Sequence, residues 1–65
     1  MINPAVEFKE SPQIGEIKAI FKLIATGASS NKVWGEANRL MQNLNGAERD
    51  KMPGLIEMEL KNRDI

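Results

Sequence analysis

The stretch Ser11–Gly46, SPQIGEIKAIFKLIATGASSNKVWGEANRLMQNLNG, decides what kind of fold this chain can adopt. Its apolar residues recur at intervals of three and four. Ile14, Ile17, Phe21 and Ile24 form one series, widened by Ile20; Val33, Ala37, Leu40, Met41 and Leu44 form the next. That spacing puts each series on one face of an α-helix, where successive residues turn by about 100°. The punctuation agrees with the period. Ser11 can cap the first helix and Pro12 can sit in its first turn, where a missing N–H costs nothing. Gly27 supplies a stop after Thr26, and Ser29 or Ser30 can cap a second helix. Asn45-Gly46 can close that helix, since glycine accepts the left-handed conformation of a helix end. The sequence thus predicts helices over about 12–26 and 30–44, joined by a few residues and packed as neighbours.

Toward the C-terminus, GAERDKMPGLIEMELKNRDI (Gly46–Ile65) carries a proline in its middle. Pro53 lacks an N–H, and its ring clashes with the preceding turn. Met52, just before it, is biased away from helical backbone. The expectation is a short helical turn near 47–51 and a separate third helix over 53–63, with Leu55, Ile56 and Leu60 facing inward. Glu59 and Arg63 stand four apart, in the order that favours pairing. Toward the N-terminus, NPAVEFKE (Asn3–Glu10) reads either as a short helix capped by Asn3 or as an alternating edge strand. Either way it is an ordered arm, with Val6 and Phe8 packing on a neighbour. The chain reads as one all-α domain over 1–65, a small bundle of three main helices, with no internal repeat or linker.

A chain of 65 residues buries only about 60% of the surface that its unfolded form exposes. Domains of this size lean on disulfides, a metal or oligomerisation. Cys and His both number zero, which removes disulfides and most donors of a structural zinc site. Close helix packing and self-association remain, so a homo-oligomer or a protein partner is expected. The first ten residues have no apolar core of a signal peptide and carry Glu7, Lys9 and Glu10. The longest apolar run, AIFKLIA, is interrupted by Lys22 and is too short to span a bilayer. The expected location is the cytoplasm. Nine basic and nine acidic residues give zero net charge, whereas nucleic-acid binders gain affinity by neutralising phosphates. Binding to a polyanion at large is not expected, although a local basic patch remains compatible with the sequence.

The groups that most catalysis needs are absent. With no His, Cys or Tyr, a nucleophilic serine would need a lysine as base. Ser29 and Ser30 do lie near Lys32, but helix capping accounts for serines at that place. Glu57 and Glu59 are two apart on a helix and point in different directions. There is no glycine-rich phosphate loop and no calcium-loop spacing of acids. The sequence therefore predicts neither an enzyme nor a cofactor or metal site.

Four apolar residues fall at or beyond the edges of the predicted core faces. On the second helix Leu44 is central, Met41 lies at one edge and Trp34, the single tryptophan, just past it. A tryptophan there either folds over the rim of the core or anchors a partner. Tryptophan is enriched at binding hot spots, and methionine beside it offers an adaptable surface. Leu23 lies on the flank of the first helix near Glu16 and Ala19, and Met58 lies off the Ile56–Leu60 face. One exposed apolar residue is ordinary; several on a chain this small suggest a second covered face. Leu23, Trp34, Met41 and Met58 are therefore the candidate partner-binding residues.

A competing reading is a helix-turn-helix. Two helices joined by TGASS fit its outline, and the second would offer Ser29, Ser30, Asn31, Lys32 and Arg39 to DNA. Zero net charge and Glu36, one turn from Lys32, weigh against it. The function expected is that of a small non-enzymatic regulatory or accessory protein that binds another protein or itself: an inhibitor, an anti-repressor or an assembly factor. Its size and composition suit such proteins of bacteria and their phages. The alternative is a dimeric helix-turn-helix regulator.

Overall fold

A computed structural model describes residues 4–63 of the chain. It contains a short 3-10 helix, Pro4–Phe8, followed by α1 (Ile14–Ala25), α2 (Ser30–Met41) and α3 (Gly46–Arg63). No strand occurs among the described residues, so the fold is all-α with three helices, as the apolar periods require. The N-terminal arm takes the helical alternative, and Asn3, its predicted cap, lies outside the described residues. In a 3-10 helix residues three apart eclipse one another. Ala5 and Phe8 are therefore the two that enter the core, while Val6 points outward and is 48% exposed. The expectation that Val6 packs on a neighbour alongside Phe8 fails for this reason, while Phe8 is buried as expected.

The helix ends follow local chemistry, with some boundaries shifted. Ser11 does not cap α1 directly. Its Oγ accepts from the Gln13 N–H at 3.1 Å, its carbonyl accepts from the Ile14 N–H at 3.1 Å, and α1 begins two residues later than the proline suggested. At the other end the Gly27 N–H donates to the Ile24 carbonyl and the Ala28 N–H to the Leu23 carbonyl. Gly27 itself has φ +90°. This paired closure needs a left-handed residue, and glycine meets that need at no steric cost. Asn45-Gly46 behaves differently from expectation. α2 ends at Met41, and the Asn45 Oδ1 accepts from the Glu48 N–H at 2.9 Å. Asn45 thus caps the start of α3, and Gly46 takes no left-handed conformation.

The largest departure is α3. It runs unbroken from Gly46 to Arg63 with Pro53 inside it, where a turn and a separate helix were expected. The physical reason lies on its buried face. Met52, Ile56 and Leu60 are all buried, and they stand four apart only if the helix continues through the proline. Ile56 and Leu60 follow the proline and face inward either way, so Met52 is the side chain that continuity adds to the stripe. Its burial contributes about 1.5–3 kcal/mol, which offsets most of a proline penalty of about 3 kcal/mol. Leu55, expected inward, is half-buried at the edge of this stripe.

Two tertiary clamps fix the helix directions. The Ser11 hydroxyl donates to Glu48 Oε1 at 3.0 Å, joining the start of α1 to the start of α3. Arg63 Nη1 donates to the Ile24 and Ala28 carbonyls at 3.2 and 2.6 Å, joining the end of α3 to the end of α1. Arg63, whose expected partner was Glu59, thus places its cation at the negative end of the α1 dipole. α1 and α3 run the same way, and α2 packs against both. Ile17, Ile20, Phe21 and Ile24 of α1 meet Val33, Ala37 and Leu40 of α2, the following Leu44, and the α3 stripe in one core.

Candidate functional site

The flank of α1 next to its buried face carries Glu16, Ala19, Ile20 and Leu23, at the spacing of one helical edge. The matching edge of α2 carries Glu36, Arg39 and Leu40, continued by Asn43 in the turn beyond. These eight residues line one open groove of about 320 Å³ between the two helices. Because each helix contributes positions over two turns, α1 and α2 lie side by side along the groove, as in a helical hairpin. Ile20, Leu23 and Leu40 make an apolar floor. Glu16, Arg39, Glu36 and Asn43 make polar lips. Arg39 Nη1 sits 3.7 Å from Glu36 Oε1, with the arginine side chain 78% exposed. In that solvated setting the pair adds little stability and leaves the lip adaptable.

Of the four apolar candidates, only Leu23 lies in this groove. Trp34 and Met41 are half-buried and pack against the core. They are seven residues apart, on the flank of α2 facing away from the groove. Met58 is 55% exposed on the outer side of α3. The four do not share one helix edge. For the residues of the DNA-binding alternative, Ser29 is the N-cap of α2 and its Oγ accepts from the Lys32 N–H at 3.2 Å. Ser30, Asn31 and Lys32 are exposed along the first turn of α2, and Arg39 is held toward Glu36 at the groove lip.

Glu36, read from the sequence only as weighing against DNA binding, and Asn43 were not among the candidate partner-binding residues, and the joining of Leu23 to Leu40 was not foreseen. The signal was half present: Leu23 stands with Ala19 and Glu16 on one flank. What supplied the other half was the side-by-side packing of α2, a tertiary fact. No cluster of three or more acidic residues that could hold a metal occurs among the described residues, and no described helix is long and apolar enough to cross a membrane. No protein-family model matches this chain, and no curated protein or solved structure is significantly similar to it.

Proposed function

We propose that this chain is a small non-enzymatic regulatory or accessory protein of the cytoplasm that binds another protein chain through the α1–α2 groove. The observation carrying this reading is the groove itself: an apolar floor of Ile20, Leu23 and Leu40 between charged lips, open along two helical turns. An amphipathic segment laid in such a groove buries its apolar anchors on the floor and keeps its polar edges at the lips. A groove this open does not enclose a small molecule as ligand pockets do. The mechanism is steric, in that occupation masks or positions the partner's apolar face.

The test uses the chain as bait in extracts of its host, with nucleic acid digested. Leu23→Asp puts a charge on the floor at a half-buried position, so the helical signal should persist while a specific protein partner is lost at least tenfold, about 1.4 kcal/mol. Met58→Asp, outside the groove, should retain that partner. A partner held equally by the wild type and Leu23→Asp, or material that vanishes with nuclease, overturns the reading.

A further inference from the structure

A second apolar recess lies on the other side of α1. Ala5, Val6, Lys9, Ile14 and Lys18 line an open notch of about 380 Å³ between the 3-10 helix and α1. Ile14 and Lys18 project from one flank of α1, whereas Glu16, Ala19 and Leu23 project from the opposite one. The two recesses are chemical inverses. Around the notch the charged groups are two ammoniums, Lys9 and Lys18, and neither makes an ion pair among the described residues. Around the groove there are two carboxylates, Glu16 and Glu36, against one guanidinium, Arg39, already drawn to Glu36. Glu7, Glu10 and Glu48 line an adjoining recess that shares Val6 and Lys9 with the notch, so Lys9 stands on the ridge between the two and Lys18 is the lysine that belongs to the notch alone. A chain of zero net charge is therefore locally polarised across α1.

We propose that a second copy of this chain occupies the groove, docked head to tail. The notch of one copy faces the groove of the next, with exposed Val6 against the Leu23–Leu40 floor and Lys9 and Lys18 against Glu16 and Glu36. This rests on the groove reading above and names the partner. Charge complementarity selects this pairing over the symmetric ones. Groove on groove would oppose two lips that each carry more carboxylate than guanidinium, and notch on notch would gather four lysines. Because the two recesses sit on opposite flanks of α1, one copy can engage both neighbours. Such a contact repeats into a ring or an open chain of subunits rather than closing as a dimer. Exposed charges carry much of the selectivity, so association weakens as salt shortens the screening length to about 8 Å or less.

The decisive experiment is a charge swap followed by sedimentation across a concentration series. The wild type should form species larger than 7.3 kDa that grow with concentration and dissociate with salt. Lys9→Glu/Lys18→Glu alone and Glu16→Lys/Glu36→Lys alone should each associate at least tenfold more weakly, because like charges then meet. An equimolar mixture of the two should recover the association, since each intact or reversed recess finds its complement in the other variant. Should a reversed variant lose its helical signal, Lys18→Gln and Glu16→Gln serve instead, each weakening association at low salt. A monomeric wild type, a variant that associates like the wild type, or a mixture that stays apart overturns the proposal. Partner capture that depends on Leu23 by a monomeric chain would leave the groove reading standing and sink only self-docking.

Discussion

A single glycine, Gly27, closes α1 in a conformation that other residues resist. Its φ is +90°, and two backbone hydrogen bonds converge on the turn it makes. Gly35 and Gly54 are its opposites. Both lie inside helices, both are exposed, and a Cβ on either would meet nothing within 4 Å. Alanine is worse than glycine at Gly27 by roughly 1–2 kcal/mol, the penalty of left-handed backbone for a residue with a Cβ. At Gly35 and Gly54 it is better by about 0.5–1 kcal/mol, since less chain entropy is lost on folding. Urea melts of the three single variants should therefore split in sign, with Gly27→Ala moving the midpoint down and Gly35→Ala and Gly54→Ala moving it up. A Gly27→Ala variant as stable as the wild type would mean that α1 can end without this closure.

At the level of elements, α3 shows where local rules give way. Pro53 removes the donor that would meet the Arg49 carbonyl, yet Arg49 is exposed, so water can take that role. Pro53→Ala restores the donor without adding bulk. It should raise stability by on the order of 1–3 kcal/mol, the proline penalty less whatever strain the helix has already relaxed. Circular dichroism should show nearly unchanged helicity, because the helix is continuous already. A large gain in helicity would mean that the break exists after all. The α1 and α2 periods were legible because each buried face is written in a window free of proline, and the glycines inside them, Gly15 and Gly35, fall at exposed positions. In α3 the same information existed, in Met52, Ile56 and Leu60 at four-residue steps, but a proline stands inside the window. Its local cost is certain from sequence, while the burial of Met52 that offsets it depends on α1 and α2 being in place. The groove was legible only on its α1 side, through Leu23, Ala19 and Glu16, because its other wall belongs to a different helix.

For the molecule as a whole, α1 and α3 are held parallel by one polar clamp at each end. Ser11 reaches Glu48 across 37 positions of sequence, and Arg63 reaches Ala28 across 35. Between Glu48 and Arg63 the helix rises about 22 Å, so the clamps share no partners and act on opposite ends of the core. Arg63→Ala removes a charged donor from two carbonyls, which should cost about 1–2 kcal/mol after allowance for its partial exposure. Ser11→Ala removes both a buried hydroxyl donor and the acceptor for the Gln13 N–H, at about 1 kcal/mol. In a domain this small, 1 kcal/mol moves the melting temperature by roughly 4–8 °C, so both losses are measurable. Dilute protein in high salt keeps copies apart during the measurement, since association would raise the melting point by mass action. If the ends behave independently, the double variant should lose the sum of the single losses to within about 0.5 kcal/mol. A double variant no less stable than either single one would show that the two clamps open together, as one cooperative α1–α3 unit, and would overturn the picture of separately fastened ends.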